Sequence, residues 1–149
     1  MKNGDQTILI IDDQASIRFL LGSFLKNQYR VIGFEDGFSA MQWLASANIP
    51  DLILLDLNIP RLSGQEFLAQ IKSSGFYESI PVVIISGDDS KETKEFCEKY
   101  GVDAYLTKPF NPVQLNELVK NIFDKKDKLV ESDIAATPVL NKLTARLKK

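Results

Sequence analysis

Residues 52–64 read LILLDLNIPRLSG: four apolar residues without polar alternation, then the carboxylate of Asp56, then a turn punctuated by Pro60 and Gly64. An unbroken apolar run of this length suits a strand covered on both faces, as in a parallel sheet flanked by helices. Outward from it the same pattern recurs at Thr7–Ile11, Tyr29–Phe34, Pro81–Ile85 and Ala104–Leu106. Between and after these runs the apolar spacing changes to 3.6 residues. The stripes are Ile17, Leu20, Leu21, Phe24 and Leu25; Met41, Leu44 and Ala45; Phe67, Leu68 and Ile71; Phe96, Cys97 and Tyr100; and Leu115, Leu118, Val119, Ile122 and Phe123. Strand and helix therefore alternate, and the fold class expected is doubly wound α/β. Asn111-Pro112 with Gln114 supplies a cap, a first-turn proline and a capping-box partner for the last helix. Gly37, Gly64 and Gly101 fall in connections, where tolerance of positive φ is useful.

Composition narrows the chemistry. The chain has 149 residues, 44% hydrophobic and 26% charged, the profile of one ordinary globular domain. It contains one cysteine and no histidine, which excludes an internal disulfide, the usual zinc sites, His-based triads and a phosphohistidine donor. Acid chemistry must run through carboxylates, hydroxyls and lysines. No run approaches the length of a membrane span and no signal-peptide pattern opens the chain, so a soluble, cytoplasmic protein is expected. A net charge of −2 argues against a chain built to neutralise nucleic-acid phosphates. Residues 1–123 carry 11 basic and 16 acidic side chains and residues 124–149 carry 7 and 4, an acidic body with a basic tail.

In an open parallel sheet, ligands bind beyond the carboxyl ends of the strands. The residues standing there are Asp12 and Asp13 after the first run, Asp56 after the third, Ser86 after the fourth, and Thr107, Lys108 and Pro109 after the fifth. Singly, Asp12 or Asp13 reads as a turn or helix cap, Ser86-Gly87 as a turn and Lys108-Pro109 as a loop. Their coincidence at one sheet edge points to a site. Carboxylates about 5 Å apart repel by roughly 3 kcal/mol per pair at an effective dielectric near 20, so three together call for a cation. Oxygen ligands without histidine or cysteine select a hard ion, and so few of them suit Mg2+, which keeps waters and shares its shell with a phosphoryl group. Lys108 and Ser86 would hold the remaining phosphoryl oxygens. Asp56, alone at the end of a central strand, is the candidate nucleophile.

These motifs, ILIIDDQ at 8–14, LILLDLNIPRLSG at 52–64, VVIISG at 82–87 and YLTKPF at 105–110, taken in order and spacing, resemble the receiver domain of two-component response regulators over about residues 5–124. The resemblance implies a flavodoxin-like sheet of five parallel strands, order 2-1-3-4-5, flanked by five helices. It implies that Asp56 accepts phosphoryl from a sensor histidine kinase or phosphotransfer protein. Asp13 and Asp56 would ligate Mg2+ directly, Asp12 through water or as a further ligand, with the Asn58 carbonyl completing the protein share. Lys108 would pair with the phosphoryl group, Ser86 would swing toward it, Tyr105 would follow as the switch aromatic, and Pro109 would follow a cis bond. Ser86 replaces the commoner threonine, keeping the hydroxyl but losing a methyl that helps fix the rotamer, and Gly87 replaces an alanine; neither change removes a reactive group. Such a domain is no conventional turnover enzyme, although it promotes its own Mg2+-dependent phosphorylation and dephosphorylation. A haloacid-dehalogenase-like phosphatase fits less well, because it carries a second aspartate two positions after its nucleophile, where this chain has Asn58. A flavin-binding flavodoxin needs an anion cradle after the first strand, and DDQAS at 12–16 repels anions.

Residues 1–124 are thus expected to form the receiver domain, and 125–149 a linker and basic tail. DKKDKLVESDIAA, residues 124–136, reads as linker, and Pro138 to Lys149 as a short helix with Leu140, Leu143 and Leu147 on one face. No output module fits in the remainder, so signalling is expected to pass to a downstream protein without direct contact to nucleic acid or membrane. A phosphorylation-dependent homodimer stays open.

Overall fold

The computed structural model describes residues 5–136. Ten elements alternate: β1 Thr7–Ile11, α1 Ala15–Leu25, β2 Arg30–Phe34, α2 Gly37–Ala45, β3 Leu52–Leu55, α3 Gly64–Ser73, β4 Val82–Ser86, α4 Lys91–Lys99, β5 Ala104–Thr107 and α5 Pro112–Ala136. The five strands form one sheet in the order β2-β1-β3-β4-β5, every pair parallel. This is the expected doubly wound α/β, flavodoxin-like fold. Its register places the site: Ile11 pairs with Leu55 and Ser86 with Thr107, so Asp12 and Asp56 leave adjacent strands side by side and Lys108 emerges next to Ser86. The Asp56 amide donates to the Ile11 carbonyl at 2.9 Å, and the Lys108 amide to the Ser86 carbonyl at 2.8 Å.

The compact unit through Pro112 holds the sheet and four helices. On one sheet face Leu9, Ile11, Ile53, Leu55, Val82 and Ile84 pack with Leu44, Phe67, Leu68 and Ile71 in a single buried cluster. Ile8, Ile10, Leu52, Leu54, Val83 and Ile85, which alternate with them, are equally buried, which is why the runs show no polar alternation. Phe67 is fully buried, and its truncation to alanine would cost about 3–5 kcal/mol. The α3 helix starts on a capping box, with the Ser63 hydroxyl accepting from the Glu66 amide and the Glu66 carboxylate from the Ser63 amide. The α2 helix starts on Asp36, whose carboxylate accepts from the Ser39 amide at 2.6 Å.

One expectation is corrected here. Of the three connection glycines only Gly101 has positive φ, at +73°. Gly64 is required for space: a Cβ there would lie 2.3 Å from the Leu57 Cα and 2.5 Å from the Asp56 carbonyl oxygen. Gly37 likewise leaves room for the Leu62 carbonyl, 2.3 Å from where its Cβ would be. Residues 124–136, read from the sequence as linker, are helical. The other unit, from Val113, is built on α5, which buries Leu115, Val119 and Phe123 and continues without a break to Ala136. No glycine or proline interrupts residues 113–136, and once a helix is nucleated each further residue adds a hydrogen bond. The short helix expected at 138–149 lies outside the described residues.

Candidate functional site

Asp12 and Asp13 follow β1 directly, and Asp56 follows β3. One carboxylate oxygen from each lies within 4.8 Å of the other two. Asp12 and Asp56 are buried while Asp13 is exposed, so the cluster is a buried pair with an open third member. The Lys108 ammonium spans the pair, donating to Asp12 Oδ2 at 2.7 Å and Asp56 Oδ2 at 3.0 Å. The free oxygens are held locally: Asp12 Oδ1 accepts from the Gln14 amide at 2.9 Å, and Asp56 Oδ1 from the Asn58 amide at 3.1 Å. Each carboxylate is thereby aimed by a backbone donor two residues on, an arrangement that a strand ending in aspartate produces by itself.

Beside these groups opens a cleft of about 520 Å³, lined by Asp13, Asp56, Asn58, Ser86 and Lys108 among others. Ser86, 1% exposed, closes β4, and its hydroxyl accepts from the Asp88 amide at 3.2 Å. Tyr105 does not line the cleft. It reaches the same loop from β5, its hydroxyl donating to the Asp88 carbonyl. The Lys108–Pro109 bond is cis, as the resemblance implied.

The electrostatics follow from burial. Burial pushes the Asp12 carboxyl above its ordinary value and the charge of Asp56 adds to that, against the lowering contributed by Lys108 and the Gln14 amide. For Lys108 burial would lower the ammonium, but its bonds to Asp12 and Asp56 prevail and hold it above the ordinary lysine value. Three carboxylates against one ammonium leave an excess of negative charge at this edge of the sheet. An all-oxygen donor set with one exposed member fits a hard divalent cation that keeps part of its water shell.

Asp12 and Asp56 meet Lys108 directly, Asp13 completes the carboxylate cluster, and Asn58 and Ser86 line the cleft. Arg18 was not singled out in the sequence, yet its guanidinium donates to the Asp12 backbone carbonyl at 2.7 Å. Its one signal was a position on α1 four residues after the N-cap Gln14, a pattern shared with many surface arginines.

An open parallel sheet whose carboxyl edge gathers an acidic cluster, a buried hydroxyl and a lysine has the groups needed to hold a cation and a phosphoryl group together. Residues 8–120 match the response regulator receiver domain, and the chain belongs to that family, whose members act as phosphorylation-activated switches in two-component systems. Protein PilG of Pseudomonas aeruginosa is 35% identical over 114 residues, which cover 76% of this chain and 84% of PilG. The alkaline phosphatase synthesis transcriptional regulatory protein PhoP of Bacillus subtilis is 34% identical over 124 residues, 83% of this chain but 50% of PhoP. The chain thus spans about half of some curated relatives and less of others. The crystal structure of the phosphorylated cyanobacterial phytochrome response regulator RcpA is similar at 36% identity and a TM-score of 0.69, covering 78% of this chain and 90% of RcpA. The Mn(2+)-bound form of response regulator Rcp1 is similar at 32% identity and a TM-score of 0.67, covering 78% and 88%. Among the described residues no helix is long and apolar enough to cross a membrane.

Proposed function

We propose that Asp56 is the phosphoryl acceptor of this chain, loaded by a sensor histidine kinase or phosphotransfer protein, and that the phosphorylated form signals by protein contact in the cytoplasm. The observation that carries the reading is the juxtaposition of Asp56 and Lys108 at the mouth of the acidic cleft. An Asp56 oxygen attacks phosphorus and the donor's P–N bond breaks, the imidazole leaving with its electron pair. Lys108 offers a fixed ammonium to the oxygens gathering charge, and Ser86 a hydroxyl to the bound phosphoryl group. Asp12, Asp13, Asp56 and the Asn58 carbonyl would hold Mg2+, in keeping with the oxygen-only donor set and with the metal bound to Rcp1. Such an ion, when bound, neutralises phosphoryl and carboxylate charge and lets both anions share one cleft. On this reading the domain also promotes its own dephosphorylation, and residues 1–124 are the receiver proper. The relatives that are kinases, histidine kinase P4 and the sensor kinase CqsS, support a phosphorelay as the setting.

The test is Mg2+-dependent labelling with a radiolabelled small phosphodonor such as acetyl phosphate. Wild type takes up label; Asp56→Asn falls to background, because an amide cannot act as nucleophile and Asp12, the other carboxylate that Lys108 holds, does not line the cleft. Labelling of Asp56→Asn at the wild-type level would remove the assignment. Sedimentation of the labelled protein reports whether phosphorylation also drives homodimer formation.

A further inference from the structure

The loop between β3 and α3 carries Asn58 and contains one backbone outlier. Arg61 has φ of +70°, and the Leu62 amide donates across it to the Pro60 carbonyl at 2.8 Å. This is the rarer, strained form of γ-turn, which a residue bearing a Cβ adopts only when its surroundings impose it. Here the surroundings are the start of α2. The Arg61 guanidinium lies 3.5 Å from Asp36 Oδ2 and 4.7 Å above the centre of the Phe38 ring. Asp36 is buried and fixed by the Ser39 amide and hydroxyl, so it is a rigid anchor. Between these two contacts Gly37 admits the Leu62 carbonyl closer than any side chain would allow. The base of the loop is closed as tightly, with the Gly64 amide donating to the Leu57 carbonyl at 3.0 Å. Pinned at base and tip, the loop gives Asn58, three residues from Arg61, one position at the cleft.

We propose that Arg61 is a positioning residue for the cation site: clasped by Asp36 and Phe38, it holds the β3–α3 loop, and so Asn58, in the cation-binding arrangement. The inference rests on the cation site proposed above. It assigns to a pair outside the cleft a share of the affinity inside it, since a ligand supplied by the backbone is only as well placed as the loop that carries it.

Full-length variants titrated with Mn2+, with free ion read by electron paramagnetic resonance, test this. The decisive variant is Arg61→Gly, because glycine adopts φ of +70° without a Cβ penalty and removes the clasp without adding strain. Its metal-free Tm should stay at or above that of wild type while Mn2+ binding weakens about fivefold, the range of one exposed ion pair plus one cation–π contact. Arg61→Lys, which keeps the charge facing Asp36 but not the flat face over Phe38, should recover part of the loss. Amide exchange in residues 57–63 should quicken in Arg61→Gly and return in Arg61→Lys. Asp13→Asn is the reference. If Asp13→Asn weakens Mn2+ binding and Arg61→Gly does not, the positioning role is wrong and the cation site stands. If neither variant changes binding, the cation site itself is wrong. A weakening in Arg61→Gly matched by a fall in metal-free Tm would also overturn the proposal, by reducing it to general loosening.

Discussion

The Lys108 ammonium donates to Asp56 Oδ2 over 3.0 Å although 52 positions of sequence separate the two residues. The register of β3, β4 and β5 brings them together, and the same ammonium also holds Asp12 at 2.7 Å. Lys108 therefore occupies oxygens of two of the three carboxylates that a divalent cation would use. It stabilises the metal-free cluster and would compete with a cation for it.

That double role gives Lys108→Met two expected effects of opposite sign. Without the ammonium, two buried carboxylates face each other uncompensated, and metal-free stability at pH 7 should fall by about 1–3 kcal/mol. Divalent cation affinity should rise, because the competitor is gone. Thermal melts at increasing Mg2+ check both: the Tm gain at saturating metal should exceed that of wild type. A variant as stable as wild type and no better a metal binder would contradict this reading.

Ser86 and Tyr105 share the loop through Asp88, one accepting from its amide and the other donating to its carbonyl. On the proposed reading a phosphoryl oxygen on Asp56 would give the Ser86 hydroxyl a new partner, and the loop and Tyr105 should move with it. Ser86→Ala should still be labelled at Asp56 but should shift Tyr105 less on phosphorylation. Tyrosine side-chain resonances recorded with and without a phosphoryl mimic report the shift. Equal displacement in variant and wild type would count against the coupling.

The acid limb of stability should depend on Asp36. Burial would raise its carboxyl, but the Ser39 amide and hydroxyl, together with Arg61, hold it below its ordinary value of 3.8. A depressed carboxyl stabilises the fold above the unfolded value and ceases to as the pH falls through the folded one. Asp36→Asn keeps the helix cap but not the charge. It should be about 0.5–1 kcal/mol less stable than wild type at pH 7 and lose less on acidification below pH 4. Urea midpoints across that range test the sign; parallel curves would show that Asp36 does not couple to protons.

Cys97 should be chemically quiet. It is fully buried in α4, and burial, helped by the Asp88 charge, pushes its thiol up to about 11. At pH 8 the native protein should react with iodoacetamide far more slowly than the urea-unfolded chain, since the thiolate is scarce and screened. Comparable rates would mean that α4 opens readily.

The sheet and the residues at its carboxyl edge were legible in the chain before any distance was known. Runs such as LILL and VVII are too short for helices and are bounded by turn residues, and a parallel sheet puts whatever follows its strands on one edge, so Asp12, Asp13, Asp56, Ser86 and Lys108 could be gathered by position alone. Tertiary structure decided what depends on distances between residues far apart in the chain. It made Asp12 and Asp56 the buried members and Asp13 the open one, and it brought Arg18 to the Asp12 carbonyl and Arg61 to Asp36. It also turned Gly37 and Gly64 from flexible joints into points of close approach, because what a glycine must avoid is set by the neighbouring backbone and not by its own φ. The extension of α5 to Ala136 escaped the sequence for the converse reason: a polar stretch without an apolar stripe carries no periodic signal, yet its residues propagate a helix already begun.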